Sequence, residues 1–274
     1  MCKNIKITIS VLVVLAALIS MIVIKNSNSK TLGNSSTKMP NRLIVGVSAD
    51  YPPFEYFKDG KLSGFDIDLA RGIASHMKRN IEFKDMDFSL LVPSLYSLKV
   101  DFIISSITMN QKRKDKLDFS QPYYTASLAI ITQQNKNIKS IKNLPNSSRI
   151  GVQTGSVMEG FIKCYNQSRN NNLEIVSLSN NFILMQKLKI GEVDAIIVEN
   201  SQAHKFIESN HNLEYNRIDD NHCIYRSEGG YVIGVRKGSD VLRHGIDSAI
   251  DQMKADGQIE ALIEKWNLNK LTVY

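Results

Sequence analysis

Hydrophobic residues follow two alternating patterns along this chain, short apolar runs and helical stripes. LIVGVSA at 43–49 and KVDFIIS at 99–105 have the composition of buried strands. Between these runs, a stripe of apolar residues spaced four apart predicts one face of a helix: Phe65, Leu69, Ile73 and Met77. Strands that alternate with helices of this length predict βαβ units and mainly parallel sheets.

The middle of the chain repeats this arrangement. SRIGVQT at 148–154 echoes the first run, and EVDAIIV at 192–198 echoes the second. The runs KVDFIIS and EVDAIIV both have an aspartate at their third position, Asp101 or Asp194, and we expect both aspartates to be structural. A stripe at i+3 spacing, ending at Gly191, predicts the matching helix: Phe182, Met185 and Leu188. The chain is therefore predicted to form two similar α/β lobes.

Two more helical stripes follow near the C-terminus. The first stripe stops near Gly257 and comprises Leu242, Ile246, Ile250 and Met253. The second comprises Ile259, Leu262, Ile263 and Trp266. Both are predicted to be helices.

Composition and residue spacing argue against nucleic-acid binding, metal binding and catalysis. The 274 residues suffice for two domains, and the formal charge of +7 comes from scattered basic residues. The nearest basic run, QKRKDK at 111–116, contains an acid, so we expect no nucleic-acid partner. The histidines and cysteines lack metal-ligand spacing, and the chain has no GxSxG or Walker motif. We therefore expect no metal, no cofactor and no catalytic residue.

The N-terminus is predicted to direct export. Residues 1–25 contain lysines followed by an apolar run, which indicates a cleaved signal peptide or, as the alternative, an uncleaved signal-anchor. Residues 26–41, rich in Asn, Ser and Lys, are predicted to be a disordered tether. Export into an oxidising compartment leaves two readings of Cys164 and Cys223: a disulfide, or two separate small apolar residues.

Aromatic, hydroxyl and charged residues gather at predicted strand ends in the first lobe. The relevant segments are DYPPFEYFKDGKLSGFDIDLA at 50–70 and SSITMNQKR at 105–113. Ligands of open α/β sheets bind at such ends. The order and spacing resemble family 3 of the extracellular solute-binding proteins, the polar amino-acid receptors of ABC importers. The resemblance covers about residues 42–266.

The resemblance implies a type II periplasmic-binding-protein fold, an α/β fold of two βαβ lobes joined by a two-strand hinge. The first lobe would comprise 42–126 and 231–274, and the second 127–230. The crossing strands would lie near Ser127–Gln133 and Gly230–Val235. Closure about such a hinge is an established way to enclose a ligand.

The resemblance also assigns ligand-binding roles. Arg113 would bind the carboxylate of a free amino acid through its bidentate fork, assisted by the backbone N–H of Thr108. Glu199 would bind the ammonium, with the Thr108 hydroxyl and the Ser106 carbonyl as further acceptors. Two aromatic walls, Tyr51 and Phe88, would enclose the side chain.

The second lobe would contribute the turn GVQTGSV at 151–157. Backbone N–H groups of Gly155, Ser156 and Val157 would assist with the carboxylate at a helix N-terminus. Gln153 would face the ligand side chain.

These assignments predict a monomeric periplasmic receptor that closes on a free amino acid and presents both lobes to an ABC permease in the inner membrane. The alternative is a periplasmic cyclohexadienyl or arogenate dehydratase on the same scaffold, with Glu199 as the acid. We expect a neutral polar ligand such as glutamine rather than arginine or lysine. Members of the resembled family that bind cationic ligands often carry an acid three residues before the first aromatic wall, and here that position is Ser48. Strand alternation gives Asp50 and Tyr51 opposite directions, so Asp50 need not face the pocket.

Overall fold

The computed structural model describes residues 39–125, 127–218, 223 and 230–268. The predicted signal segment 1–25, the tether up to residue 38 and the lobe boundary at residue 126 lie outside these residues. Among the helices of the described ranges, none is long and apolar enough to cross a membrane.

Thirteen strands and eight α-helices make up the described part of the fold. The strands are β1 Arg42–Val47, β2 Asp50–Tyr51, β3 Glu55–Lys58, β4 Lys61–Ser63, β5 Asn80–Asp85, β6 Phe102–Ile103, β7 Leu117–Phe119, β8 Leu128–Gln133, β9 Arg149–Gln153, β10 Glu174–Leu178, β11 Ala195–Glu199, β12 Leu213–Arg217 and β13 Gly234–Arg236. The helices are α1 Phe65–His76, α2 Phe88–Tyr96, α3 Gln111–Lys114, α4 Val157–Arg169, α5 Asn181–Lys189, α6 Asn200–Ile207, α7 Asp240–Ala255 and α8 Gln258–Lys265.

Two five-stranded sheets with matching topology organise these elements. Sheet A has the order β5-β1-β6-β13-β7 and sheet B the order β10-β9-β11-β8-β12. In each sheet the first three strands are parallel to one another, and the fourth strand is antiparallel to both of its neighbours. The predicted α/β class is confirmed, while the expected parallel pairing holds for only three strands of each sheet. Strand β13 enters sheet A late in the chain and runs antiparallel to β6.

The similarity between the strand pairs β1/β6 and β9/β11 includes their hydrogen bonds. Asp101 Oδ2 accepts the backbone N–H of Ile44 at 2.7 Å, which ties the start of β6 to β1. Asp194 Oδ2 accepts the N–H of Arg149 at 2.8 Å in the same relative position of sheet B. Both aspartates therefore join neighbouring strands, as a structural role requires.

The predicted helices form, with differences in the buried faces of the first two. Helix α1 buries Phe65, Leu69 and Ile73, whereas Met77 follows the helix as its C-cap residue and is only partly buried.

Helix α5 buries Leu184, Met185 and Leu188, whereas Phe182 is 43% exposed and contacts the ring of Phe206. The prediction for Phe182 was wrong because the buried face starts at Asn181 and continues at i+3, i+4 and i+7, so Phe182 lies beside that face.

The C-terminal helices pack on the sheet A side. Trp266 Nε1 donates to Asp68 Oδ2 of α1 at 3.0 Å, and Lys265 Nζ lies 2.8 Å from the same oxygen. The chain thus returns to its first sheet after completing sheet B. The lobe boundaries at 126/127 and 230/231 stay a prediction.

Cys164 of α4 and Cys223 form a disulfide with Cα atoms 5.6 Å apart, so the reading of two separate cysteines was wrong. The bond closes a loop with a sequence separation of 59 residues. Closing a loop of this length restricts the unfolded chain, and such bonds typically contribute about 2–4 kcal/mol to the free energy of unfolding.

Replacing both cysteines by serine is expected to lower the free energy of unfolding by that amount, measured by urea denaturation. Equal midpoints for the wild type with and without reductant would contradict it.

Candidate functional site

A cavity lies where the ends of β1, β9 and β11 approach one another between the two sheets. It encloses about 320 Å³ that protein atoms leave free, part of it open to solvent. Fourteen residues from both sides line it: Ser48, Asp50, Tyr51, Glu55, Phe88, Ser105, Ser106, Thr108, Arg113, Gln153, Ser156, Val157, Met158 and Glu199. All eight residues singled out from the sequence are among them, and their roles stay predictions.

The two predicted aromatic walls come from different elements of the sheet A side. Tyr51 lies in the short strand β2 and is buried, and its Oη accepts the backbone N–H of Glu199 at 3.2 Å. Phe88 is the first residue of α2 and is half-buried. The guanidinium of Arg113 lies 5.3 Å from the centroid of the Phe88 ring, close enough for a cation–π contact.

Arg113 is a buried cation at one end of the cavity. The side chain of Asn110 caps the short helix α3 by accepting the backbone N–H of Arg113 at 2.8 Å. The guanidinium donates to the carbonyl of Thr108 at 2.7 Å and, from Nη2, to the carbonyl of Gly155 at 3.1 Å. Gly155 lies two residues before α4 and adopts φ +78, a left-handed backbone conformation that glycine adopts without strain.

No carboxylate among the described residues pairs with Arg113. Burial lowers the pKa of its guanidinium to about 10, still well above neutrality. The arginine therefore stays charged in an environment that lacks a counter-ion. An anion that enters the cavity would supply one.

Glu199 is a buried acid at the C-terminal end of β11, on the sheet B side. Burial raises the pKa of its carboxyl to about 8. Its Oε2 is buried and has no hydrogen-bond partner within the described part of the chain. A buried acceptor without a donor is costly, so a positively charged donor in the cavity would be stabilised there.

Glu55 was not predicted as a site residue, yet it lines the cavity and is buried. It pairs with Tyr51 across the β2–β3 hairpin. Its carboxyl accepts from Ser105 Oγ at 2.8 Å and from Ser106 Oγ at 3.4 Å. Burial and the neighbouring Asp66 raise the pKa of Glu55 well above its usual range. The pairing of Tyr51 with Glu55 belongs to the folded hairpin, and no pattern in the sequence indicated it.

Asp50 lines the cavity beside Tyr51, which strand alternation did not require. The two residues are neighbours in the two-residue strand β2, and each reaches the sheet B side: Asp50 accepts the N–H of Asn181, and Tyr51 accepts the N–H of Glu199. Burial raises the pKa of Asp50 to about 6. The amide Nε2 of Gln153 lies 3.2 Å from Asp50 Oδ1, so the Gln153 donor is engaged by protein rather than free for a ligand.

The start of α4 adds polar groups from the sheet B side. Val157 is the first residue of this helix, where backbone N–H groups are available to an anion. Ser156 lines the cavity next to it, and its Oγ is buried without a partner among the described residues. The predicted turn therefore lies at the cavity, close to Arg113 through Gly155.

The cavity thus holds one guanidinium and three carboxyl groups, from Asp50, Glu55 and Glu199. Within the described ranges, no group of three His, Cys, Asp or Glu side chains is arranged to hold a metal ion. Such a cavity suits a small solute that carries both an anionic and a cationic group. It offers separate binding groups for each.

Comparison with known proteins agrees with this geometry. Residues 43–269 match the sequence profile of the bacterial extracellular solute-binding proteins, family 3. The chain belongs to this family. The match covers both sheets and every cavity residue.

Relatives of this family 3 protein include the arginine-binding extracellular protein ArtP of Bacillus subtilis (strain 168). That protein is 35% identical over 238 residues, 87% of this chain and 90% of its own length. Two solved structures are described as an ancestral arginine-binding protein, one bound to arginine and one bound to glutamine. The first has a TM-score of 0.76 and 35% identity over 83% of this chain and 99% of its own. The second has a TM-score of 0.75 and 36% identity over 83% and 98%.

These similarities confirm the predicted type II periplasmic-binding-protein fold for this family 3 protein. The family consists of extracellular proteins, in agreement with the predicted export. The relatives are binding proteins rather than enzymes.

Proposed function

We propose that this protein is the receptor of an ABC importer for a free amino acid with a cationic side chain, of the arginine type. The observation that carries the proposal is that one buried arginine and three buried carboxyl groups line the same cavity. The names of the relatives support an amino acid as ligand. As the receptor of an importer, the protein would deliver the bound amino acid to a membrane permease.

Each end of an amino acid has a matching group in the cavity. Arg113 would bind the α-carboxylate with its two terminal nitrogens, exchanging the carbonyl of Gly155 for a charged acceptor. Glu199 would bind the α-ammonium through the unpartnered Oε2. Tyr51 and Phe88 would enclose the aliphatic part of the side chain.

A cationic side chain balances the remaining charge. With Glu199 assigned to the ammonium and the oxygens of Asp50 bonded to Gln153 and Asn181, Glu55 is the acid that remains for a cationic side chain. A cation beside Glu55 would favour its ionised form. The argument for glutamine counted no acid beyond Glu199 at the site, and Glu55 is such an acid. Glutamine remains the second candidate, because one structural relative is described as bound to it.

Titration calorimetry with arginine, citrulline and glutamine tests this ligand assignment. Arginine is expected to bind at least about tenfold more tightly than the other two, since a charge contact of about 1.4 kcal/mol suffices for that ratio. Citrulline is the matched control because a neutral urea group replaces its guanidinium at nearly equal size. Binding of glutamine or citrulline as tight as that of arginine would exclude a charge-selective cavity.

The same experiment bears on the enzyme alternative. Glu199, buried with a raised pKa, has a property that an acid catalyst needs. Absence of binding to any amino acid, together with turnover of prephenate or arogenate, would establish the dehydratase instead.

A further inference from the structure

Asp50 makes contacts that the ligand-binding roles do not use. Its carboxylate lies on the sheet A side, but its hydrogen-bond donors come mainly from the sheet B side. Oδ2 accepts the backbone N–H of Asn181 at 2.6 Å, and Oδ1 lies 3.2 Å from Gln153 Nε2 and 3.4 Å from Asn181 Nδ2. On its own side, Ser48 Oγ lies 3.5 Å away. The carboxylate therefore joins residues 131 positions apart in sequence.

The main donor is the N-terminus of a helix. Asn181 is the first residue of α5, whose own cap, Asn180, accepts the N–H of Ile183 at 3.1 Å. That cap leaves the N–H of Asn181 without an intrahelical acceptor. Asp50 satisfies this donor from the other side of the cavity and places a negative charge where the helix dipole favours one.

Both oxygens of Asp50 are thus committed to protein donors. No lysine, arginine or histidine among the described residues forms an ion pair with it. The bond can exist only while the sheet A and sheet B sides are close together around the cavity. An opening of the cavity would separate the carboxylate from all three donors at once.

We propose that Asp50 is a closure latch, a positioning residue that caps α5 across the cavity and stabilises the closed arrangement for any bound amino acid. The proposal rests on the proposed function in assuming closure about a ligand. A group that stabilises the closed state alone raises the population of the binding-competent form. It therefore strengthens the binding of every ligand by the same factor and adds no selectivity for side-chain charge.

Replacement of Asp50 by asparagine tests the latch by calorimetry with two ligands. Asp50→Asn is expected to weaken arginine and glutamine binding by the same factor, about tenfold to a hundredfold, because a charged hydrogen bond is lost. The matched control is Asp85→Asn. Asp85 accepts the N–H of Ala49 at 2.8 Å within the sheet A side, and within the described ranges it has no hydrogen bond or ion pair to the sheet B side. It is expected to change both affinities by less than about twofold.

Selective loss of arginine binding in Asp50→Asn would instead make Asp50 the partner of the ligand's cation, and the latch would be rejected. An effect no larger than that of Asp85→Asn would reject it as well. Thermal melting of each variant shows whether it is folded.

A second pair of variants tests the backbone N–H of Asn181 separately from its side chain. Asn181→Pro removes that donor at the first helical position, where proline is tolerated, and Asn180 already has the extended φ −124, ψ 126 that suits a residue before proline. Asn181→Ala removes the side chain and keeps the donor. The proline variant is expected to bind both ligands about tenfold more weakly than the alanine variant. Equal affinities of the two variants would show that the capping bond does not support closure.

Small-angle X-ray scattering without ligand separates this proposal from the proposed function. The unliganded wild type is expected to have a smaller radius of gyration than Asp50→Asn or Asn181→Pro, while Asp85→Asn matches the wild type. This arm remains valid if the wild type binds no amino acid, an outcome that would reject only the proposed function. Identical radii for all four proteins would reject the latch.

Discussion

Replacing Arg113 by alanine is expected to weaken amino-acid binding by about thirtyfold to several thousandfold, as loss of one partner of a buried charge contact costs about 2–5 kcal/mol. The structure supplies the reason. Arg113 is buried, has only carbonyl acceptors and lacks a carboxylate partner among the described residues. The ligand carboxylate would be its counter-ion. Calorimetry with arginine measures the effect.

Two further variants make the Arg113 experiment decisive. Lys112→Ala removes an exposed cation on the same short helix and is expected to leave affinity within about twofold. Arg113→Lys retains the charge but loses the bidentate fork, so its affinity should fall between that of Arg113→Ala and the wild type. Similar, small losses in Arg113→Ala and Lys112→Ala would show that Arg113 does not contact the ligand.

Replacing Glu199 by glutamine is expected to cause a loss of similar size, about thirtyfold or more, and to change the pH dependence of binding. The pKa of Glu199 is about 8 without ligand, so its carboxyl is mostly neutral at pH 7. An ammonium in contact favours the ionised form, and binding must then release a proton. Affinity in the wild type should therefore rise with pH up to about 8.

Proton release is measured from calorimetric heats in two buffers of different ionisation enthalpy. Glu199→Gln should abolish most of the release near neutral pH. Asp50, with a pKa of about 6, contributes at the acidic end in both proteins. Glu208→Gln is the control, because Glu208 is an exposed acid at the opposite end of α6. Unchanged proton release in Glu199→Gln would show that Glu199 does not bind the ammonium.

Much of the fold was predictable because its determinants are local in sequence. Phe65, Leu69 and Ile73 lie on one helical face whatever the rest of the chain does, and α1 buries that face. The strand pairs β1 with β6 and β9 with β11 were visible as an echo, down to the aspartates that join them. Burial of Phe182 was mispredicted, since the buried face of α5 begins at the polar Asn181, which a search for apolar spacing does not count.

The candidate site was predictable to the extent that it lies at strand ends. Arg113, Glu199 and Tyr51 follow or end predicted strands, and the topology brings such ends to one cavity. Asp50 and Glu55 were missed as cavity residues because their partners, Asn181 and Ser105, come from distant segments that the β2–β3 hairpin meets only in the folded protein. No pattern within the segment 48–55 reports where its carboxylates point once the chain has turned.

By itself, the sequence determined four strands, four helices, the internal repeat and the residue types at the strand ends, because each depends on spacing along one segment. Only the tertiary structure decided the contacts between distant segments. The disulfide joins residues 59 apart, and Asp50 reaches a helix that begins 131 residues later. Such partners depend on how two sheets approach each other, a distance that spacing within either segment does not encode. The gathering of Arg113 and three carboxyl groups in one cavity arises from that approach.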